Sequence, residues 1–295
     1  GLKVYGESLE GIRPIMGDDL DMRRFADIPM AAFWTYGKTP AGPYLADVRG
    51  ASSVGHLYGK QIVASESLTS FMAPWAHSPA ELRPKLDGAF VNGINRVIIH
   101  TSVHQPLDDN PPGLSLLPYG QYFNRHETWS SFAKPWIDYI SRTSYLLQQG
   151  NNVADVAYFY GEEAPIGRQA ADDYFNNVPI EYAYDFVSAD SLLNILSVDK
   201  KSGDLVASPH SRLVTNSQAR YKVLYLGGMS HKMTLPILKK IAELVEAGAT
   251  VVGLPPKNSP SLKDDNEEFE FIVNQLWSDE EVSKIGKGHI FSTLN

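Results

Sequence analysis

The sequence predicts an α/β fold in two parts: half of a (β/α)8 TIM-type barrel over residues 1–150, and a doubly wound open α/β sheet over residues 151–295. Three observations lead to this prediction. Short apolar runs alternate with helical patterns up to about residue 105, and the same alternation restarts after Gly150. The apolar runs also lack strict period-two alternation, which is typical of parallel strands covered on both faces.

The first part contains four candidate strands, and each runs into a polar loop with Gly or Pro. The strands are predicted over residues 2–7, 30–36, 61–66 and 96–102, and the helices over 19–27, 48–59, 78–93 and 128–149. Ser78, followed by Glu81, fits a capping box at the start of the third helix. Because a complete barrel needs about 250 residues, four such units make half of one.

The second part alternates in the same way. Its strands are predicted over residues 153–161, 220–228 and 249–256, with a segment leading into a helix over 181–196, a hairpin over 205–214 and a helix over 235–248. Pro209 lies near the hairpin turn, and Gly248 ends the last helix. The acidic stretch 263–281 is interpreted as the solvated face of a helix. The pattern predicts an open sheet with helices on both faces.

The composition argues against several classes of function. The net charge is −8 and no run of five or more Lys and Arg residues is present, which argues against a nucleic-acid partner or an anionic membrane surface. No apolar run is long enough to span a bilayer. Cysteine is absent, so a Cys nucleophile and a thiolate metal site are excluded. No G-x-G-x-x-G or P-loop motif is present, and no organic cofactor is predicted.

Two carboxylates are the candidate catalytic residues. Glu7 and Glu66 follow the apolar residues of two predicted barrel strands, and catalytic groups in such barrels lie at the carboxyl ends of the strands. A pair of carboxylates is the minimum for glycoside hydrolysis, because one protonates the leaving oxygen and the other activates water or attacks the sugar. A structural ion pair with a nearby Arg is the alternative for each. The flanking Ser65 and Ser67 favour a solvated, ionised Glu66.

Polar and aromatic side chains near the strand ends are candidates for substrate binding. Two histidines four residues apart bind metal well on a helix, but here the first ends a strand and a Pro follows the second. Hydrogen bonding to sugar hydroxyls is therefore preferred for them, with metal binding and a structural role as alternatives. Aromatic rings stack on the apolar faces of sugars, and core packing is their alternative. The predicted substrate-binding residues are His100, His104, Asn124, Trp34, Tyr58 and Trp129.

Several segments together resemble a known family. VRGASSVGHLYGK (48–60) runs almost directly into VASES (63–67), and HTSVHQP (100–106) and FNR (123–125) follow. The chain resembles the α-L-rhamnosidases of glycoside hydrolase family 106. The resemblance spans nearly the whole chain and is most specific over residues 48–129.

The resemblance implies the C-terminal half of a TIM-type barrel, followed by a flavodoxin-like or amidotransferase-like accessory domain, as a piece of a longer multidomain enzyme. It implies an inverting mechanism on rhamnosidic linkages of plant or microbial oligo- or polysaccharides, with calcium aiding substrate binding. Glu7 and Glu66 would be the functional carboxylates, and His100, His104 and Asn124 would line the sugar pocket. A periplasmic or extracellular location is expected because family members act on polysaccharide.

One departure from the family pattern bears on activity. Ala32 stands where the resemblance implies a Glu, just before Phe33-Trp34. A barrel that binds a sugar without cleaving it is therefore one alternative. A retaining β-galactosidase-like hydrolase is another, because its barrel can also precede an open-sheet domain. A carboxyl separation of about 5–5.5 Å would favour retention, and one of about 6.5–9.5 Å would favour inversion.

Overall fold

A four-stranded parallel sheet forms the first part of the protein. The computed structural model describes residues 1–8, 17–35, 43–172, 181–208, 219–278 and 281–293. Within these residues the strands lie in the order β1-β2-β3-β4. Their bounds are β1 (Tyr5–Glu7), β2 (Ile28–Trp34), β3 (Ala64–Thr69) and β4 (Arg96–Ile99). The parallel arrangement confirms the predicted strand type, but β3 begins later than predicted and continues three residues past Glu66.

Helices connect these strands. They are α1 (Asp19–Arg23), α2 (Pro43–Leu57), α3 (Pro79–Val91) and α4 (Lys134–Leu147). The predicted capping box of Ser78 and Glu81 is present at the start of α3. The predicted start of the last helix near Thr128 is wrong, because a 3-10 helix occupies Ser130–Phe132 and Pro135 then lies in the first turn of α4. In the described part of the chain, no helix is both long and apolar enough to cross a membrane.

The two faces of the first sheet differ in what they contact. Ala31 and Phe33 of β2 are fully buried and pack in a core with residues of α2, α3 and α4. Side chains alternate along a strand, so Met30 and Ala32 point to the opposite face. We call this opposite face the inner face.

A second, six-stranded sheet follows in the described residues, in the order β12-β13-β11-β10-β5-β6. All its neighbouring strands are parallel except the edge pair β12 and β13. Its strands are β5 (Val156–Phe159), β6 (Tyr184–Val187), β10 (Val223–Leu226), β11 (Thr250–Val252), β12 (Val282–Ile285) and β13 (Gly288–Phe291), and the helices of this part are α5 (Ile166–Ala171), α6 (Ala189–Asn194), α7 (Leu235–Ala247) and α8 (Asn266–Leu276).

The predictions for this second part are met to different degrees. A small antiparallel sheet joins β7 (Leu196–Val198), β8 (Leu205–Ala207) and β9 (Arg220–Tyr221). The first strand of the predicted hairpin 205–214 is thus observed, while its turn and second strand, at 209–214, lie outside the described residues. Helix α7 ends at Gly248 as predicted, and that glycine has a φ of 130°. The acidic stretch contains α8, which buries Phe269 and Leu276 and exposes most of its other residues.

Helix α2 joins the two sheets. Three of its side chains, spaced at helical intervals, contact the edge strand β6. The guanidinium of Arg49 lies 4.2 Å from the centre of the Tyr184 ring, the hydroxyl of Ser53 accepts a hydrogen bond from the Phe186 N–H at 2.9 Å, and His56 pairs with an Asp of the same strand. These contacts satisfy backbone groups at a sheet edge that would otherwise be open.

A cluster of acidic side chains at α1 makes the second connection between the two parts. Asp18 binds the Tyr160 hydroxyl, Asp19 accepts from the Gly167 N–H at 3.2 Å, and Asp21 accepts from the Ser188 hydroxyl at 2.9 Å. Burial raises the pKa of Asp18 and Asp19. Burial and the nearby charge of Asp18 raise the pKa of Asp21 to about 6.

Asp21→Asn is expected to stabilise the protein at neutral pH. The folded state holds the Asp21 proton up to about pH 6, whereas the unfolded chain releases it near the ordinary value of 3.8, so this group's contribution falls as pH rises through that window. The expected gain at pH 7.5 is about 1 kcal/mol, discounted because the carboxyl is partly exposed, and no gain is expected at pH 4. Urea unfolding at both pH values measures it, with Asp109→Asn in an exposed loop as the control. An equal effect at the two pH values would contradict this explanation.

A buried ion pair lies under β2. Arg23 and Asp47 are both almost inaccessible to solvent, and the guanidinium pairs with the carboxylate and donates to the Met30 carbonyl at 3.0 Å. Asp47 also accepts from the Ala32 N–H at 2.6 Å. The pair therefore fixes α1 and α2 to the strand that lies next to β3.

Gly50→Ala is expected to destabilise the protein although alanine favours helices. A Cβ at Gly50, in the middle of α2, would lie 2.8 Å from Nη1 of the fully buried Arg23. Alanine would contribute about 1 kcal/mol of helix propensity, but overpacking a filled site costs about 1–3 kcal/mol. We expect a net loss of up to about 2 kcal/mol in the free energy of urea unfolding, and a net gain would show that Arg23 moves freely.

Candidate active site

Glu66 lies on the inner face of the first sheet. It pairs in register with Ala32 of β2 and Ile98 of β4. In-register neighbours of parallel strands point to the same side, so all three face away from the helices. The Glu66 side chain is half-buried and its Oε1 accepts a hydrogen bond of 2.6 Å from the Thr69 hydroxyl. A carboxylate that is both accessible and held in place can act on a bound substrate.

The predicted role of the flanking serines is wrong. Ser65 and Ser67 are fully buried, because alternation places them on the helix side of the sheet. Their hydroxyls donate to the backbone carbonyls of Glu66 and Ser65, at 2.9 and 2.8 Å. The two serines therefore bond to the backbone, and the Glu66 carboxylate is bonded by Thr69 instead.

Glu7 is the last residue of β1 and is exposed. It pairs with Met30, which in turn pairs with Ala64, so Glu7 lies on the inner face, two strands and two residues away from Glu66. Strand spacing and residue rise then give a Cα separation of roughly 12 Å. Glu7 also interacts electrostatically with Arg23, in line with the ion-pair alternative.

An aromatic group lies at the carboxyl end of β2. Trp34 pairs with Thr69 and so lies on the inner face near Glu66. Tyr119 packs edge-on against Trp34, with ring centres 5.7 Å apart, and also contacts Phe71 at 5.5 Å. Phe71 and Tyr119 are each about two-fifths exposed. Exposed rings beside a carboxylate are typical of a site that stacks on sugar.

The segment 118–123 crosses the carboxyl ends of β3 and β4. Gly120 donates its N–H to the Ser70 carbonyl at 2.7 Å, and Gln121 accepts from the Thr101 N–H at 2.8 Å. Gly120 has a φ of 100°, and a Cβ there would lie 2.7 Å from the Thr101 side chain, so glycine is required for this close approach. This crossing places Tyr119 against Trp34.

The two predicted histidines are separated. His100 follows β4 directly, and its N–H continues the ladder to the Ser67 carbonyl at 3.0 Å. Its Nδ1 is buried without a hydrogen bond to any described residue. His104 is exposed and forms an antiparallel bridge with Leu114 in the following loop. The structure thus keeps His100 at the sheet end near β3 and leaves His104 in its own loop.

Asn124 and Trp129 line a different cavity, of about 560 Å³, between β4 and α4. Trp129 packs edge-on against Trp136 of the helix-side core, with ring centres 5.5 Å apart. Glu127 also lines this cavity and is 95% buried, with Oε2 unbonded among the described residues. The structure therefore groups Asn124 and Trp129 with the helix side and not with Glu66.

Tyr58 lies far from this face. It is buried at the end of α2 in the core of the second sheet, and its hydroxyl donates to Asp190 at 3.1 Å. Burial raises its pKa well above the ordinary value of 10. The end of α2 is at the opposite edge of the sheet from the carboxyl ends of the strands, and this placement argues against the predicted role of Tyr58 in sugar binding.

The described residues do not by themselves fit a calcium site. Among them, no group of three or more His, Asp or Glu side chains comes close enough to hold a metal ion. Calcium takes six to eight oxygen ligands, whereas Glu7 and Glu66 of the inner face lie two strands apart, and one Glu66 oxygen is already bonded to Thr69.

A family model for α-L-rhamnosidases, glycoside hydrolase family 106, matches residues 1–295. The chain belongs to glycoside hydrolase family 106. A rhamnosidase from Novosphingobium sp. PP1Y has a similar structure, with a TM-score of 0.90 and 49% identity over 99% of this chain and 27% of that one. A Formosa agariphila protein that carries the provisional name beta-glucuronidase is 37% identical over 254 residues, which are 85% of this chain and 20% of the relative.

The likeness extends at the level of fold to another glycosidase. A family 42 beta-galactosidase from G. stearothermophilus has a TM-score of 0.50 at 9% identity, covering 98% of this chain and 50% of that one. Such a low identity shows the fold alone. The structural neighbours are TIM-barrel glycosidases, and the family 106 chain has the mixed α/β architecture with parallel sheets that they share.

The predicted site residues of this family 106 chain did not include Thr69 and Tyr119. Thr69 was not predicted because residues three apart on a regular strand point to opposite faces. Tyr119 lies in a long loop, where the spacing of residues does not indicate which strand end the loop crosses. Leu117-Pro118 followed by Tyr119-Gly120 does signal a turn there, which could have drawn attention to the segment.

Proposed function

We propose that the protein hydrolyses α-L-rhamnosides with inversion and that Glu66 acts as the general base. The position of Glu66 carries this proposal. Its carboxylate is half-buried on the inner face and bonded to Thr69, and Thr69 pairs in register with Trp34. Membership of family 106 supplies the substrate class.

The fold assignment extends the observed topology. The order β6-β5-β10-β11-β13 reads 2-1-3-4-5 along the chain, which is the order of flavodoxin-like sheets. We therefore assign residues 151–295 to a flavodoxin-like accessory domain without the Cys of amidotransferases, and residues 1–150 to the C-terminal half of a TIM-type barrel. The chain spans about a quarter of the rhamnosidase and a fifth of the relative, so a further part of a longer protein would complete the barrel.

The chemistry needs two carboxyl groups. Glu66 would take a proton from water as the water oxygen bonds to the anomeric carbon, while a carboxylic acid on the other side of the sugar gives its proton to the leaving oxygen. The glycosidic bond breaks in the same step, and the sugar is released with inverted configuration. The Thr69 hydrogen bond would hold Glu66 for this transfer.

Glu7 is the candidate for the partner acid. Its Cα lies roughly 12 Å from that of Glu66, which leaves room for a sugar and a water between side chains on one face. A separation of about 5–5.5 Å between the Glu7 and Glu66 carboxyls would favour the retaining, β-galactosidase-like alternative, and one of about 6.5–9.5 Å would favour inversion.

A second candidate function is sugar binding without hydrolysis. Ala32 pairs in register with Glu66 and is fully buried, so the strand position beside Glu66 carries no carboxylate. A barrel that lost a catalytic Glu there would keep the aromatic group of Trp34 and Tyr119 and bind its sugar unchanged.

The substrate and setting follow from the same proposal. We propose oligo- or polysaccharide substrates of plant or microbial origin and a periplasmic or extracellular location, because polysaccharides do not cross membranes. No nucleic acid or membrane enters the function. If calcium aids substrate binding, most of its ligands would come from outside the residues described.

The test measures sugar release by the complete protein from aryl α-L-rhamnoside, aryl β-glucuronide and aryl β-galactoside. Proton NMR at early reaction times identifies which anomer of the sugar is released first. We expect release of rhamnose as its β-anomer. Release from the glucuronide or galactoside alone would overturn the substrate assignment, and an α-anomer would overturn inversion. Rhamnose binding measured by calorimetry, without release, would instead support the binding module.

A further inference from the structure

The last two residues of β3 depart from regular strand geometry. Leu68 has a φ of 70°, in the left-handed region that bulky side chains avoid. The pairing with β2 shifts at the same point, so that Phe33 faces Ser67 but Trp34 faces Thr69. Leu68 is thus an extra residue, as in a β-bulge. The Leu68 side chain is fully buried in the helix-side core. This burial holds the Leu68 backbone in a conformation that is by itself unfavourable in free energy.

The bulge changes the face on which Thr69 lies. On a regular strand, residues 66 and 69 would point to opposite faces. The extra residue returns Thr69 to the inner face, where its hydroxyl donates to Glu66 Oε1 at 2.6 Å. Thr69 is 99% buried, and its carbonyl accepts from the Thr35 N–H at 2.8 Å. Hydrogen bonds thus hold both the backbone of Thr69 and its hydroxyl in place.

We propose that Thr69 is a positioning residue that holds the Glu66 carboxylate in its reactive orientation, and that the strained bulge at Leu68 serves this contact. The inference rests on the proposed function of Glu66. A half-buried Glu has three rotatable bonds and samples several rotamers unless it is held. A hydroxyl-to-carboxylate bond of this length is of the strong, charge-assisted kind, and a β-branched Thr restricts its own side-chain torsion.

Three variants of the complete protein test this role: Thr69→Val, which keeps the shape and removes the donor, Thr69→Ser, which keeps the donor, and Glu66→Gln as the reference. Crystal structures report the Glu66 side chain, and kcat and KM are measured on aryl α-L-rhamnoside. In Thr69→Val we expect the Glu66 carboxylate to leave its place and kcat to fall roughly 10- to 100-fold, because small misplacements of a catalytic group cost that much. KM should change little.

The serine variant separates the hydroxyl from packing. Thr69→Ser is expected to restore both the Glu66 orientation and a kcat within about threefold of wild type. Thermal unfolding of each variant shows whether a loss of kcat comes from a loss of folded protein. If Thr69→Val does not fold, Thr69→Ala takes its place. A folded Thr69→Ser with the low kcat of Thr69→Val would overturn the proposal.

The remaining outcomes distinguish this inference from the proposed function. A Thr69→Val variant with full kcat, next to an inactive Glu66→Gln, would overturn the role of Thr69 and leave hydrolysis by Glu66 standing. Wild-type protein that releases no rhamnose would overturn the proposed hydrolysis, and the crystal structures would then decide on Thr69 alone. An unmoved Glu66 in Thr69→Val would overturn the inference in that case too.

Discussion

Glu66→Gln in the complete protein is expected to lower kcat for rhamnoside hydrolysis roughly 10²- to 10⁴-fold, the range that general base catalysis contributes. Glutamine has the shape of glutamate, and its carbonyl oxygen can still accept the hydrogen bond from Thr69 that Oε1 accepts. The substitution therefore removes the negative charge and the basic oxygen while it leaves the contacts of the half-buried side chain in place. Initial rates at saturating substrate measure the effect.

Two comparisons make this result specific. Glu243→Gln changes an exposed carboxylate of α7 that pairs with Lys240, and its kcat should equal that of wild type. The unfolding temperature of Glu66→Gln should also match wild type, since no core contact is lost. A variant with full kcat would show that Glu66 is not the base, and a loss of kcat accompanied by an early unfolding transition would assign it a structural role instead.

The sequence predicted the strand type and the general place of Glu66 because both depend on local pattern. Continuous apolar runs such as residues 96–99 indicated parallel strands, and four such strands pair as expected. The limits of the strands were less predictable. Residues 61–66 were predicted as a strand that ends at Glu66, but Ala64–Thr69 forms β3, so Glu66 lies in its middle. Hydrophobicity alone does not mark that end, since Ser65 and Ser67 are polar and fully buried.

The environment of Glu66 could not be predicted for a related reason. A bulge at Leu68 has no glycine to announce it, and the positive φ is maintained by burial of the leucine in a core built from distant helices. Only tertiary packing decides that Thr69 and Glu66 share a face. By contrast, the strand pair β12 and β13 was missed although Gly286 and Gly288 mark its turn, and Gly286 indeed has a φ of 55°.

Tyr58 illustrates how one helix can serve two cores. The apolar pattern of residues 48–59 predicted a helix. It did not predict that the polar face of this helix would contact a second sheet. Arg49, Ser53 and His56 recur at intervals of four and three, which is the spacing of one helix face. That polar stripe contacts β6, and Tyr58 is buried in the same interface. A recurring polar stripe on a predicted barrel helix is thus a signal for a neighbouring domain.

Asp47→Asn is expected to cause the largest loss of stability of any substitution considered for this protein, about 3–5 kcal/mol in the free energy of unfolding. Asp47 and Arg23 are buried together, and asparagine keeps the size of the side chain and an oxygen for the Ala32 N–H. What it removes is the charge that compensates the Arg23 guanidinium, which then remains buried with the more distant Asp19 as its partner. Because domains are stable by only about 5–15 kcal/mol, urea unfolding should show a large shift of the midpoint.

Two further variants isolate the cause of that loss. Asp108→Asn breaks an exposed pair with Arg125 and should leave the urea midpoint unchanged, because solvent screens such pairs. The double variant Arg23→Met with Asp47→Asn removes the uncompensated charge as well, and it should recover part of the stability that Asp47→Asn loses. A double variant less stable than Asp47→Asn alone would show that the packing of Arg23 and its bond to the Met30 carbonyl stabilise the fold more than its uncompensated charge destabilises it. Recovery would mean that the strand beside Glu66 is held chiefly by charge pairing beneath it.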